Sequence, residues 1–245
     1  MARKGESKGQ KRLSVAKARF LPRKSSVWAI RVRAGPHSKA SSVPAGFVLR
    51  EILGVCRTLG EAKMILNKGE MKINGKVRKS HGFAVGLFDI VELKSSNKRY
   101  RVMFDGKRRI VLGEINAKGK LEGIAKVTGK GNVKGGKVQL HTSSGITLLA
   151  GKHDAKVGDS IKLEMPENKI SGIYSMKEGN TAYITGGTHT GVIAKITKVV
   201  EGTMARGKLV SLEAKGSEFG TAEKNVFVIG EKQAGIELGE AVKKE

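Results

Sequence analysis

The first 40 residues hold 12 Lys or Arg against a single acidic residue. Their few apolar side chains are scattered among Arg3, Lys4, Lys8, Lys11, Arg12, Lys17, Arg19, Arg23, Lys24, Arg31, Arg33 and Lys39, so the stretch cannot form a core of its own. Residues 1–42 are therefore expected to be an arm, disordered in the isolated protein and ordered on a partner. A polyanion is the expected partner, because each Lys or Arg that meets a phosphate releases condensed counterions. Ser25-Ser26, Gly35-Pro36 before His37, and Ser41-Ser42 leave the backbone free to follow an irregular surface. A merely solubilising tail is the alternative. Trp28, within Val27-Trp28-Ala29-Ile30, is expected to dock on the next domain, with stacking on a base as the second reading.

The charge falls away along the chain. Residues 41–100 hold 11 basic and 5 acidic side chains, 101–170 hold 14 and 7, and 171–245 hold 10 and 9, for a net charge of +25 and a pI near 10.2. Hydrophobic residues at 39% exclude wholesale disorder, while 4% aromatics are too few for several aromatic-centred cores or base-stacking platforms. Small β units with glycine corners are expected. The single cysteine, Cys56, lies in the apolar run 48–59, which reads as a core thiol in a reducing compartment and excludes an internal disulfide framework. Charges stand where a signal peptide needs an apolar stretch, and no run of ~18 apolar residues occurs, so a soluble intracellular protein is expected.

From Pro44 the recurrence of Phe47-Val48-Leu49, Ile52-Leu53 and Val55 predicts an amphipathic helix. Thr58 with Glu61 three residues later predicts the capping box of a second helix, striped by Ala62, Ile65 and Leu66 and stopped by Gly69. Residues 71–78 alternate around Asn74-Gly75, the pair favoured in a type I′ hairpin turn because both central residues need positive φ. Residues 88–93 supply a further strand. Two helices, an Asn-Gly hairpin and a closing strand resemble the small RNA-binding domain named after ribosomal protein four of the small subunit. The resemblance rests on Thr58-Leu59-Gly60-Glu61-Ala62-Lys63, Gly69 and Ile73-Asn74-Gly75-Lys76; it departs at Phe88, where that family has glycine before Asp89. Arg50, Arg57 and Lys63 on the helical pair, with Lys76, Arg78 and Lys79 past the turn, are candidates to grip the backbone of a folded RNA by its shape.

Beyond Leu93, β-type runs at 100–104, 110–112, 137–141, 146–150, 160–165 and 169–174 predict barrel-like units. Gly131-Asn132-Val133-Lys134-Gly135-Gly136-Lys137 satisfies Gly-x4-Gly-Lys, but Val138 replaces the Ser or Thr that must reach magnesium, and the context is a hairpin. No nucleotide site is expected there. Residues 180–196 read as strand, glycine-rich turn and strand, and resemble the KOW motif of ribosomal and transcription-elongation proteins. The resemblance implies a tight loop at Gly191 that lies against RNA; Thr188, His189 and Lys195 are candidate contacts, with His189 between threonines placed to bond a phosphate or a ribose, and an ordinary hairpin without contacts is the alternative. No His, Cys or paired carboxylate stands near His189 at metal-ligand spacing.

The order of parts narrows the family. Gly35-Pro36-His37, Leu49-Arg50-Glu51-Ile52-Leu53, the Asn-Gly hairpin, Val85-Gly86-Leu87-Phe88-Asp89-Ile90, Val133-Lys134-Gly135-Gly136-Lys137, Thr185-Gly186-Gly187 and Asn225-Val226-Phe227-Val228-Ile229-Gly230 together resemble the archaeal and eukaryotic small-subunit ribosomal protein four-e family over residues 1–232. The resemblance implies a structural, rRNA-binding constituent of the small subunit, bound to neighbouring ribosomal proteins in the cytoplasm. No cofactor, metal, membrane or small-molecule substrate is expected.

The fold class expected is mixed α+β, mostly β: a basic arm over 1–42, a helix-hairpin RNA-binding domain over 43–98, a central β-barrel-like domain over 99–174, a C-terminal SH3-like KOW domain over 175–232, and a tail over 233–245 as an individual extension. The competing readings are a KOW-bearing transcription or translation factor and an RNA-modifying enzyme. The enzyme would need a catalytic domain, and neither a Gly-Arg-Leu-Asp type segment nor a Gly-x-Gly cofactor loop after a strand is present.

Overall fold

The computed structural model describes residues 9–22, 24, 26–116, 119–151, 154–203, 207–214 and 216–241. Strands dominate, and only two short α-helices, Ala45–Phe47 and Leu59–Asn67, occur among the described residues. The expected helix after Pro44 is broken: Ala45–Phe47 runs into a wider π turn at Val48–Ile52, which still buries Val48 and Leu49. The second helix follows its sequence signals. Thr58 accepts the Glu61 amide on its side chain, and Glu61 reaches back to the Thr58 backbone, completing a capping box.

Asn74 (φ +52°) and Gly75 (φ +75°) form the turn between Met71–Ile73 and Lys76–Val77, both in the left-handed region as a type I′ turn demands. This hairpin edges a six-stranded antiparallel sheet that continues through Ile90–Leu93, Lys98–Phe104, Ile110–Ile115 and Glu240–Ala241. Two corrections follow. The boundary expected between residues 98 and 99 falls inside this sheet, because Ile90 to Leu93 pair with Arg101 to Lys98. The residues after 232 are not a free extension: Ile236 is buried, and the last strand closes the sheet against Gly113 and Glu114.

Phe88 explains its departure from the glycine expected before Asp89. Its φ is +63°, a conformation that strains a residue with a side chain. Its buried ring packs edge-on against Tyr183 at 5.3 Å and Phe227 at 4.7 Å, contacts a glycine could not make.

A second sheet takes the order Thr147–Leu149, Lys137–Thr142, Glu122–Val133, Ser160–Glu164, Lys169–Tyr174, and encloses Val127, Leu140, Ile161 and Leu163. A third takes the order Ser217–Ala222, Leu209–Ala214, Ile193–Val200, Thr181–Ile184, Val226–Gly230, around Ile184, Ile196, Leu212 and Val228. Lys126 joins the two: its ammonium donates to the Glu223 and Val226 carbonyls, both at 2.7 Å.

The expectation for the N-terminal stretch needs the largest correction. Val15, Ala18 and Leu21 are buried in the same cluster as Phe47, Leu66 and Leu112, and Ile30 and Val32 are buried as well. The stretch has no core of its own, but it completes that of the next unit. Gln10–Lys11 and Trp28–Ala29 form a two-stranded ribbon. Trp28 does not dock; Ile30, two residues on, is the residue that buries. Cys56 is a buried free thiol in the same core.

Candidate nucleic-acid interface

Two segments bring positive charge together, and a third adds exposed cations. The capped helix Leu59–Asn67 holds Lys63 exposed, and the N-terminal segment lies beside Gly82, where the Arg33 amide donates to the Gly82 carbonyl at 2.7 Å. Between them stands His81, whose pKa is pushed below its ordinary value by burial first and then by the charges of Lys63 and Arg33. The imidazole can donate or accept a hydrogen bond, while the two flanking cations supply the charge that attracts a phosphate. Past the hairpin turn, Lys76 and Lys79 are exposed. This arrangement suits contact with a sugar-phosphate backbone rather than with base edges.

Not every basic residue expected to meet RNA is available for it. Arg19 is buried and donates to the Ser42, Ile30 and Lys39 carbonyls and to Gln10 Oε1, with its pKa pulled down to about 10 by burial. Arg12 is buried against the Pro22 carbonyl and Glu51. These two arginines tie the N-terminal segment down, since a buried guanidinium must find acceptors for its donors. His37 does likewise: its Nε2 lies 2.9 Å from Asp89 Oδ2, and its ring fills the space that a Cβ on Gly86 would take. Arg50 is paired with Glu51 at 2.9 Å, and the Arg78 guanidinium lies 4.5 Å over the Phe83 ring. Lys11, Lys17, Lys24, Arg33, Lys39, Arg57, Lys63, Lys76 and Lys79 remain exposed, and Arg31 is half-buried. Arg3, Lys4, Lys8 and Arg23 lie outside the described residues.

The glycine-rich turn at 185–192 closes on itself. Gly191 N–H donates to the Ile184 carbonyl at 2.8 Å, and the Thr190 hydroxyl donates to the Gly187 carbonyl at 2.8 Å. Gly191 (φ +84°) is half-buried, and a Cβ there would stand 2.8 Å from the Phe104 carbonyl oxygen, so this side of the loop is packed on the turn at 104–106. Thr188 and His189 are exposed at the tip, the His189 ring stacked on Phe219 at 4.0 Å. Lys195 is exposed on the adjoining strand, in register with Glu213.

The turn against which Gly191 packs carries Lys107 and Arg108, both exposed and absent from the candidates drawn from sequence. The basic run Lys107-Arg108-Arg109 was the available signal, but nothing in the sequence joined it to a glycine-rich turn some 80 residues later. Arg108, Lys126 and Lys224 line a cleft of about 450 Å³ between the sheets, floored by Phe104 and Phe227. Among the described residues no group of three or more His, Cys, Asp or Glu side chains could hold a metal ion, and no helix is long and apolar enough to cross a membrane.

Comparison with known proteins gives a consistent result. Residues 96–170 match the model of the ribosomal family S4e. The chain is 37% identical over 238 residues to the small ribosomal subunit protein eS4 of Methanosphaera stadtmanae, covering 97% of this chain and 98% of that one. It is 39% identical over 234 residues to the eS4 protein of Archaeoglobus fulgidus, covering 94% and 97%. The crystal structure of the 30S ribosomal protein S4e from Thermoplasma acidophilum superposes with a TM-score of 0.66 at 33% identity, covering 78% of this chain and 95% of that one.

Proposed function

Since the chain belongs to the eS4 family of small-subunit ribosomal proteins, we propose that it is a structural constituent of the small subunit which binds its rRNA and supports subunit assembly and translation. It acts as a scaffold rather than as an enzyme, on cytoplasmic ribosomes and beside other small-subunit proteins. The readings as a KOW-bearing factor and as an RNA-modifying enzyme are not favoured, because its relatives carry the ribosomal name over nearly their whole length. Residues 43–115 form the helix-hairpin unit with its sheet, 120–174 a central β unit, and 175–232 an SH3-like KOW unit. The N-terminal segment and residues 233–241 complete the first.

The observation that carries the rRNA interface is the docking of the N-terminal segment at Gly82, where the Arg33 amide donates to the Gly82 carbonyl at 2.7 Å and sets an exposed Arg33 next to His81 in the chain's fold. Replacing Arg33, Lys63, Lys76 and Lys79 with Ala is expected to weaken binding to small-subunit rRNA with the fold intact. Each lost phosphate contact lowers the slope of log K against log salt by about 0.7 to 0.9. An unchanged slope and affinity in the quadruple variant would move the interface elsewhere.

A further inference from the structure

Trp28 is the only tryptophan in the chain, and 62% of it is exposed. The side chain with the largest apolar surface is ordinarily drawn into a core, so its exposure calls for a partner. Nor is it loosely held. Trp28 pairs with Lys11 across the two-stranded ribbon, and the six-membered end of its indole lies over Gly9, where a Cβ would be 3.0 Å from Cζ3. A residue with no side chain thus lets the ring rest on backbone, which lowers the ordering entropy that a ligand must overcome. The other exposed aromatic of the segment, Phe20, differs: the Arg109 guanidinium covers it at 4.1 Å. Among the described residues, no other aromatic ring or cation is stacked on Trp28.

We propose that Trp28 is a base-stacking site, which takes an unpaired nucleotide of the rRNA while Lys11, opposite, engages its phosphate. The proposal rests on the rRNA-binding reading and deepens it. Charge selects the class of occupant. Between Glu6 and Glu51 the sequence has no acidic residue, and Lys11, Lys17, Lys24, Arg33 and Lys39 are exposed, so the ribbon attracts a polyanion. A polyanion whose repeating units also carry flat apolar faces is a nucleic acid, and every base offers such a face to an indole. The site is expected to accept any base at that position.

Intrinsic fluorescence of the full chain reports on this one ring. Titration with transcribed small-subunit rRNA is expected to quench it, whereas inorganic polyphosphate of matched charge leaves it unchanged. Trp28→Leu, a change at an exposed position, is expected to weaken rRNA binding roughly 5- to 150-fold, the equivalent of about 1–3 kcal/mol per stacked base, with the salt slope unaltered. Trp28→Phe should recover part of the loss, and Lys11→Ala should instead lower the slope. Equal quenching by polyphosphate, or equal rRNA affinity of wild type and Trp28→Leu, would overturn the stacking site and leave rRNA binding standing. Quenching that appears only on adding neighbouring small-subunit proteins would assign the ring to a protein partner and overturn it too. Failure of the wild type to bind rRNA at all would defeat both readings.

Discussion

The Tyr183 hydroxyl accepts the Phe104 amide and donates to the Phe104 carbonyl, both at 2.9 Å, so one side chain of the C-terminal sheet satisfies both backbone groups at the end of a strand in the first. Phe104 and the Tyr183 ring are buried, and water cannot replace the phenol there.

Tyr183→Phe is accordingly expected to cost about 1–3 kcal/mol, because it leaves a buried N–H and C=O without a partner. Burial pushes the Tyr183 pKa up to about 12; the Phe104 amide opposes this, and Asp105 adds to it. A raised folded-state pKa means that the contribution is whole below the unfolded value of 10 and lost as pH climbs from there toward 12. Denaturant unfolding at pH 8 and above pH 10 should reveal the decline in wild type and its absence in Tyr183→Phe.

His37 gives a second dependence on pH, nearer neutrality. Burial lowers its pKa, but the charge of Asp89 and the hydrogen bond to it prevail, so the net shift is upward from 6.5. The pair's stabilisation is therefore fully present below pH 6.5 and fades as pH rises through the folded-state value. The same carboxylate accepts Asn74 Nδ2 at 2.8 Å and the Gly86 amide at 2.9 Å, so the hairpin turn and the N-terminal segment share one anchor. Thermal melts should give wild type a higher midpoint at pH 6 than at pH 8, a difference that His37→Gln reduces.

Gly191→Val introduces a branched side chain at φ +84° and a Cβ 2.8 Å from the Phe104 oxygen. The backbone strain alone is about 1–3 kcal/mol, and the contact adds to it. The midpoint of unfolding should fall, while the salt slope of rRNA binding stays that of wild type.

Thr58→Ala removes the acceptor for the Glu61 amide at 3.2 Å and should cost about 1 kcal/mol by denaturant unfolding. Thr58→Ser should restore most of it.

Local chemistry was legible in the sequence where one short segment determines the outcome. The Asn74-Gly75 turn and the Thr58–Glu61 box need only neighbours a few residues away, and β-branched runs such as 169–174 reach strand pairing without help. What escaped depends on distant chain. Val15, Ala18 and Leu21 recur every three residues and Ile30 and Val32 every two, but these runs are short and broken by charges, so nothing in their order announces that another unit's core receives them. Glu122–Val133 is a 12-residue strand containing Gly123, Gly129 and Gly131, residues that read as corners. Gly123 instead sits in extended strand with the Met165 side chain laid over it. For the candidate interface, sequence named most of the exposed cations but could not separate them from Arg12 and Arg19, because burial of an arginine depends on acceptors supplied by other segments.

The strand Ile110–Ile115 receives the two extremes of the described chain: the Ile110 amide donates to the Ala18 carbonyl at 2.9 Å, and residues 240–241 pair with Gly113 and Glu114. During synthesis the first partner is waiting when this strand emerges, whereas the second is made about 130 residues later. The strand therefore stays an open edge through translation of both later sheets, a template for pairing with other chains until residues 240–241 cover it. Closure of the first sheet is thus a step of high contact order, and a chain arrested before residue 236 would keep this edge uncovered and Ile236's place in the core unfilled.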